Sequence, residues 1–276
     1  FGKKCRLFEM KFPSNLGKSL GTLTNSGSSA NLLMVSSLMS KNKCPKKYRL
    51  NKGDKLITPI VCFPTTINPL LQLGLEPVFV DVDLPSLNPN LDQIEQLLIN
   101  DHNREIKGII FAHVLGNPPD LDRLMHLVEK YDLIFLEDSC DALGSTYDGK
   151  KLGSFGLMST CSFYPAHHMT MGEGGFIATD EPMLNKTLKS IRDWGRACYC
   201  NEKKIHSLEN ARRQNFIKLT QIFKKYEKYF ILPTATDKSD PCWFGFMPIL
   251  KENKYFTRND FIQFLEKNKI QTRPYF

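Results

Sequence analysis

The sequence predicts an α/β protein with a mixed, mostly parallel sheet flanked by helices, followed by a smaller C-terminal α+β lobe. Short β-branched runs alternate with helical patterns between residues 20 and 191, without repeats or low-complexity tracts. After about residue 199 this alternation ends, and a basic helical stretch, a segment of strand character and a closing helical pattern follow. Strands joined by helical crossovers pair mostly in parallel, so ligands are expected at their carboxyl ends.

The individual elements follow from local patterns. Short runs of Val, Ile, Leu, Phe and Thr predict the strands GTLT, KLITPI, PVFVDVD, GIIFAHV, LIFLED and FIATD. The segments between them predict helices at 30–39, 64–73, 91–100, 120–131 and 182–194, and a closing helix at 258–267. Asn90 precedes the third helix and has a side chain suited to cap it.

Two domains are predicted, a large cofactor-binding α/β domain at 1–200 and a small, shortened C-terminal domain at 201–276. A chain of 276 residues with 41% apolar composition can bury one substantial core and carry a smaller lobe. The basic stretch 203–228 places Phe216, Leu219 and Phe223 at steps of three and four. This spacing predicts an amphipathic helix with a solvated basic face rather than a nucleic-acid site, despite the net charge of +8.

The composition also bears on the cellular setting. No run of 18 apolar residues suggests a membrane span, and no charged segment followed by an apolar one suggests secretion. Eight cysteines without the regular spacing of a small disulfide-bonded domain are expected to be reduced thiols in a cytoplasmic protein. The first residue is Phe1 rather than Met, so we expect the N-terminus to be missing.

Two motifs at predicted strand ends suit charged ligands. In TNSGSSANLL, Gly27 and Ser28 lie before a helix, where free backbone amides suit a phosphate. A serine N-cap without a ligand explains this motif equally well. In LEDSCDALGS an apolar strand brings Asp138 to its carboxyl end, where a cation or hydrogen-bond donors must meet the carboxylate. A turn cap is the alternative there.

Two further motifs follow strand-like segments. PIVCFPTTINP places Phe63 where an aromatic ring stacks on a flat cofactor or, alternatively, fills the core. In SFYPAHHMTMGEGG, Ser162 can bind a phosphate and His167 lies five residues further on. Two adjacent histidines in a loop bounded by Pro and Gly favour a proton-transfer site over a structural role.

Taken in order, TNSGSSANL, CFPTTINP, EDSCDALGS and SFYPAHHMTMGEGG resemble the DegT/DnrJ/StrS family of sugar aminotransferases, which use pyridoxal phosphate on a type I aminotransferase fold. The resemblance covers about 8–194 and resumes, with gaps, from about 208. In most of that family a lysine stands five residues after the serine and holds the cofactor covalently. Here the position is His167, and FYPAHH with TMGEGG is similar to a subgroup, the nucleotide-sugar 3-dehydratases.

The resemblance implies a lyase of deoxysugar biosynthesis. It would remove the C3 hydroxyl from a nucleotide-linked 4-keto-6-deoxyhexose, without transfer of nitrogen. An imidazole cannot tether the cofactor, but with an ordinary pKa of about 6.5 it can exchange protons at neutral pH, so the bound form would be pyridoxamine phosphate. His167 would be the base, and His168 would support the loop.

The same resemblance implies the cofactor contacts. Asp138 would keep the pyridine nitrogen protonated, which makes the ring an electron sink. Phe63 would stack on the ring, and Gly27, Ser28 and Ser162 would hold the phosphate.

Three cysteines bear on how such an enzyme is recharged. One branch of the subgroup regains its amine from glutamate, and the other carries a [2Fe-2S] cluster fed by a separate flavin and iron-sulfur reductase. Between Cys140 and Cys198 lie 57 residues, and Cys200 follows after one more, which resembles the first three cluster ligands and favours the cluster branch. The fourth position is Leu208, so the ligand set is incomplete; His206 and Cys242 are substitutes, and ordinary reduced thiols are the alternative.

Segments usual in the family are absent here. After Cys200, NEKKIHS leads almost directly into LENARRQNF, where roughly fifty residues of relatives are missing, and KIQTR meets PYF at the close. In relatives the first of these segments reaches the cofactor of a partner subunit in a homodimer. The missing segments leave open a decayed, inactive paralogue as an alternative to the dehydratase. A sugar aminotransferase with a catalytic lysine elsewhere in the pocket is a second alternative.

Overall fold

The computed structural model describes residues 2–195, 202–236, 239, 241, 243 and 245–272, with only the backbone described at 202–209. The chain divides into two compact units, Phe1–Ala197 and Cys198–Phe276. The predicted domain boundary at 200 lies three residues from this division. The functional assignment of the two domains stays a prediction.

Unit 1 is built on a seven-stranded sheet. Its strands are β1 (Leu20–Thr24), β2 (Lys55–Pro59), β3 (Glu76–Val80), β4 (Ile106–Ala112), β5 (Ile134–Asp138), β6 (Met158–Ser162) and β7 (Gly175–Thr179). Their order is β1-β7-β6-β5-β4-β2-β3. Only β7 is antiparallel to its neighbours β1 and β6, and the other pairs are parallel. Six strands therefore end at the same edge.

Helices cover both faces of this sheet. They are α1 (Lys3–Lys11), α2 (Gly27–Leu38), α3 (Pro64–Leu73), α4 (Leu91–Asn100), α5 (Leu121–Lys130) and α6 (Pro182–Arg192). Leu56 packs in the cluster formed with α2, α3 and α6, whereas its neighbour Ile57 packs in the cluster formed with α4 and α5. Because successive side chains of a strand point to opposite faces, the sheet is buried on both sides.

The predicted α/β class and the mostly parallel sheet are confirmed. The helices predicted at 64–73, 91–100 and 258–267 have the observed bounds, and the Asn90 side chain accepts a hydrogen bond from the Gln93 amide as expected. The first of the predicted helices was placed too late, because α2 begins at Gly27 rather than at residue 30. Helix α1 and strand β6 were not among the predicted elements.

Unit 2 contains the predicted basic helix, α7 (Glu202–Lys224), and a closing helix, α8 (Arg258–Lys267). Where the structure describes it, the stretch of predicted strand character forms a two-residue ladder, Phe230–Ile231 with Ile249–Leu250. Aromatic rings hold this unit together: Phe216 stacks on Trp243 with ring centroids 3.8 Å apart, and Phe223 contacts Phe230 at 5.2 Å. Within the described residues, no helix is long and apolar enough to span a membrane.

Candidate active site

All four predicted motifs lie at one edge of the sheet. Ser26 and Gly27 follow β1, Phe63 follows β2, Asp138 ends β5 and Ser162 ends β6. These four strands point the same way, so their carboxyl ends meet at the same edge. The position agrees with the rule that open α/β sheets bind ligands there.

Asp138 lies in a buried network of hydrogen-bond donors and is only 3% exposed. Its Oδ2 accepts hydrogen bonds from Asn31 Nδ2 and Thr66 Oγ1, both at 2.8 Å. Its Oδ1 accepts from the Cys140 amide at 3.2 Å. Thr160 Oγ1 donates to Asn31 Oδ1 at 2.7 Å and so fixes the orientation of the amide.

Asn31, Thr66 and Thr160 were not identified from the sequence. Asn31 and Thr66 do stand inside the quoted motifs SGSSANLL and FPTTINP. The available signal was their polarity in otherwise apolar helix segments, because a buried polar side chain needs a partner.

The start of α2 lies directly against Ser162. Ser26 caps the helix by accepting a hydrogen bond from the Ser29 amide, so the serine-cap interpretation holds for Ser26. Gly27 and Ser28 are the first helical residues, and amides in a first turn have no intrahelical acceptor. A Cβ atom on Gly27 would lie 2.7 Å from Ser162 Cβ and 3.0 Å from Ser162 Oγ. Only glycine permits this approach, which brings a hydroxyl beside the free amides.

Phe63 is 67% exposed, so it does not fill the core. It is the N-cap of α3, and the Thr66 amide donates to its carbonyl at 3.0 Å. Because Thr66 also contacts Asp138, Phe63 lies within one helical turn of the Asp138 network. An exposed aromatic ring at this position is available to stack on a planar ligand.

His167 faces a carboxylate. Its Nδ1 lies 3.3 Å from Oδ1 of Asp141, and its ring centroid lies 6.4 Å from that of Tyr164. The His167 amide donates to the Tyr164 carbonyl at 3.0 Å and closes a turn. His168 is exposed, so its predicted role in supporting the loop stays a prediction.

Glu137, adjacent to Asp138 in the motif, belongs to a different network. It is fully buried and contacts His113 Nε2 at 2.9 Å. Its Oε2 also accepts from the Gly153 amide at 2.9 Å, and Oε1 accepts from the Gly156 amide. Neighbouring strand residues point to opposite faces, so Glu137 stabilises the fold away from Asp138.

The cysteines of the described region are free thiols, namely Cys5, Cys44, Cys62, Cys140 and Cys161. Burial, reinforced by the Asp138 carboxylate, raises the pKa of the Cys62 and Cys140 thiols, and it raises the pKa of Cys161 to about 12. Of the three predicted cluster ligands, Cys198 and Cys200 lie outside the described residues, as does Cys242. In the described part of the chain, no group of three His, Cys, Asp or Glu could hold a metal ion.

The donor set fits a pyridoxal-type cofactor. First-turn amides and a hydroxyl suit its phosphate, the buried Asp138 carboxyl group suits its pyridine nitrogen, and the exposed Phe63 ring suits its plane. The cluster is not supported in the same way, because Cys140 is its single predicted ligand among the described residues and Leu208 replaces the fourth.

Comparison with protein families matches the DegT/DnrJ/EryC1/StrS aminotransferase family over residues 1–207 and 201–276. The lipopolysaccharide biosynthesis protein RfbH of Salmonella typhimurium is 38% identical over 98% of this chain and 72% of its own length. The dTDP-4-dehydro-2,6-dideoxy-D-glucose 3-dehydratase of Saccharopolyspora spinosa is 38% identical over 100% of this chain and 68% of its own.

A solved structure is also similar. GDP-4-keto-6-deoxymannose-3-dehydratase with a trapped PLP-glutamate geminal diamine is 29% identical and superposes with a TM-score of 0.65. The similarity covers 99% of this chain and 78% of the other.

The comparison also locates a gap. The alignment with RfbH has 323 positions, whereas the whole chain has 276 residues, so at least 47 aligned positions have no residue here. The family match consists of two parts that overlap at residues 201–207, and the sequence predicts the missing segment at the same place.

Proposed function

The chain belongs to the DegT/DnrJ/EryC1/StrS aminotransferase family, and from this premise we propose that it dehydrates a nucleotide-linked 4-keto-6-deoxyhexose at C3 with pyridoxamine phosphate as cofactor. The observation that carries the proposal is His167. By the resemblance of its loop, His167 stands in place of the family's cofactor-binding lysine, and it lies at the strand edge that also carries Asp138. The names of the relatives, 3-dehydratases acting on dTDP- and GDP-linked sugars, support the substrate class.

The proposed cofactor contacts follow from the site. Gly27 and Ser28 offer amides to the phosphate, and Ser162 offers its hydroxyl. Asp138, which Asn31 and Thr66 orient, would meet the pyridine nitrogen, and the exposed Phe63 ring would cover one face of the cofactor. Without a covalent tether, these contacts alone must retain the cofactor.

Pyridoxamine phosphate held there would supply an amine able to react with the sugar ketone and a ring able to accept electrons. His167 takes up and returns the proton, since imidazole titrates near neutral pH and does not hold the cofactor covalently. The sugar loses its C3 hydroxyl as water. The two electrons needed for net deoxygenation must come from an amine donor or from a separate reductase.

We propose glutamate as the donor. Glutamate is trapped with the cofactor in the similar solved structure, which supports this choice. The alternative, a [2Fe-2S] cluster on Cys140, Cys198 and Cys200 with a flavin and iron-sulfur reductase, has no fourth cysteine because position 208 is leucine. Iron analysis of protein purified anaerobically tests this alternative. Two iron atoms per chain would show that the electrons come from the reductase rather than from glutamate.

We also propose a homodimer as the active form. Loops around the carboxyl edge expose large apolar side chains, including Ile60 at 56% and Leu115 at 82%. Met169 and Met171, in the His167 loop, are also exposed. Exposed apolar clusters at a site are typical of interaction surfaces. Light scattering after gel filtration measures the mass, and a monomer at working concentrations would contradict this proposal.

The deciding experiment is anaerobic incubation with pyridoxamine phosphate and a CDP- or GDP-linked 4-keto-6-deoxyhexose, with loss of water from the sugar followed by mass spectrometry. His167→Asn should abolish the loss and leave cofactor affinity unchanged. His168→Asn changes the exposed neighbouring histidine and serves as the matched control, with turnover retained. Undiminished turnover in His167→Asn would exclude the proposed base.

Two other functions predict different results. A sugar aminotransferase requires a lysine bonded to pyridoxal phosphate, which borohydride reduction would trap. An inactive paralogue is favoured by the missing segment of at least 47 positions. It predicts that calorimetry detects no binding of pyridoxamine phosphate.

A further inference from the structure

Asp141 and His167 come from two loops that leave neighbouring strands side by side. Asp141 follows β5 and His167 follows β6, and these strands are parallel, with Thr160 opposite Asp138. The Nδ1 to Oδ1 distance is 3.3 Å. Within the described residues, this ion pair is the single polar contact of the Asp141 carboxylate.

The backbone of both residues is fixed. The Ala142 amide donates to the Ser139 carbonyl at 3.1 Å, which forms a turn around Asp141. A Cβ atom on Gly116 would lie 3.0 Å from the Asp141 carbonyl oxygen, so the loop after β4 packs closely on it. His167 is held by its turn with Tyr164. The side chains are partly exposed, 47% for Asp141 and 23% for His167.

We propose that Asp141 is a positioning residue for His167. A neutral imidazole has one N–H and one acceptor nitrogen, and a carboxylate only accepts hydrogen bonds. A carboxylate oxygen 3.3 Å from Nδ1 favours the tautomer that carries its hydrogen on Nδ1, because a lone pair there would face the negative charge, and Nε2 becomes the nitrogen that takes up the proton. The carboxylate also fixes the plane of the ring. This inference rests on the proposed function, in which His167 moves a proton.

An ordinary surface ion pair is the competing explanation. Such pairs contribute little to stability, because solvent screens both charges. The two explanations differ in how the tautomer of His167 responds when a carboxylate is removed. Removing a positioning residue changes the tautomer, whereas removing a purely stabilising ion pair elsewhere on the surface does not. Asp92, exposed and 2.7 Å from Arg123, provides that comparison.

The test begins with the protein free of cofactor and labelled with 15N at histidine. Two-bond 15N–1H correlation spectra report the tautomer of each ring, and the His167 signals are those lost in His167→Asn. We expect the Nδ1–H form in the wild type and in Asp92→Ala. We expect loss of this preference in Asp141→Ala and its recovery in Asp141→Glu. An Nε2–H form in the wild type would overturn the inference, whether or not any variant folds.

Kinetics on the loaded enzyme provide the second measurement. Asp141→Ala should lower kcat by about tenfold to a hundredfold, within the usual contribution of general acid-base catalysis, and leave KM and cofactor affinity unchanged. Asp141→Glu should restore most of kcat. An unchanged kcat in Asp141→Ala would also overturn the inference. If the wild type turns over no 4-keto sugar, the proposed function fails, whereas the tautomer result stands independently.

Discussion

The Asn31 side chain donates a hydrogen bond to Asp138 Oδ2 at 2.8 Å, across 107 positions of sequence. Asn31 is 1% exposed and accepts in turn from Thr160, so its amide has both partners inside the protein. A helix residue of α2 thus determines how a carboxylate at the end of β5 is presented. The site depends on this packing of α2 against the sheet.

We expect Asn31→Ala to lower the free energy of unfolding by about 1–3 kcal/mol, because it leaves buried polar groups without a partner. It should also weaken cofactor binding, since Asp138 loses one of its two donors at 2.8 Å. Urea unfolding and titration with pyridoxamine phosphate measure the two effects. Asn15→Ala, at an exposed asparagine, is the control and should cost less than about 0.5 kcal/mol. Equal costs for both variants would contradict the assigned role of Asn31.

Sequence patterns selected the four site motifs because each lies within a few residues of a strand end, and the structure brings these strand ends to one edge of the sheet. Gly27, Phe63, Asp138 and His167 were all selected in this way. What the patterns could not provide is the network across elements. Asn31 and Thr66 meet Asp138 only after α2 and α3 pack on the sheet, and no local propensity reports such a contact.

Strand β6 shows a second limit. The polarity of its side chains, MSTCS, alternates only weakly along the strand. Several of them are small and polar, so they do not form an obvious β-branched run. All five are buried, because β6 lies inside the sheet between β5 and β7. Fully buried strands lack the alternation of exposed ones, and here hydroxyl groups such as that of Thr160 are tolerated because partners are present.

Gly27→Ala tests the close approach of the start of α2 to Ser162. The added methyl group would lie 2.7 Å from Ser162 Cβ, closer than packed atoms permit, so α2 or β6 must shift. We expect cofactor affinity to fall at least tenfold and stability to fall by about 1–3 kcal/mol. Gly2→Ala is the matched control, since a Cβ there contacts nothing within 4 Å. Unchanged affinity in Gly27→Ala would show that the phosphate binds elsewhere.

Phe63→Ala separates binding from folding. The ring is 67% exposed, so its removal should change stability by less than about 0.5 kcal/mol. Stacking of an aromatic pair contributes about 0.5–1.5 kcal/mol, which predicts roughly two- to tenfold weaker cofactor binding. Absorbance titration with pyridoxal phosphate measures the affinity. Phe79→Ala, at a 47% exposed ring on the edge strand β3, should leave the affinity unchanged.

Cys161 gives stability a predictable dependence on pH. Burial, reinforced by the Asp138 carboxylate, raises the pKa of its thiol from 9.0 to about 12. Above pH 9.0 the unfolded chain releases this proton while the folded chain retains it. The contribution of the thiol is therefore complete below pH 9.0 and declines between 9.0 and about 12, by at most about 1.4 kcal/mol per pH unit.

Cys161→Ala removes this contribution. The difference in unfolding free energy between wild type and variant should be constant below about pH 9 and should shrink above it, because only the wild type carries the raised thiol pKa. Urea unfolding at about pH 7.5, 9 and 10 measures the difference. Leu16→Ala creates a comparable defect in the same apolar cluster without a titrating group, so its cost should not follow this pattern. A difference for Cys161→Ala that stays constant up to about pH 10 would mean that the thiol loses its proton as readily in the folded protein as in the unfolded chain.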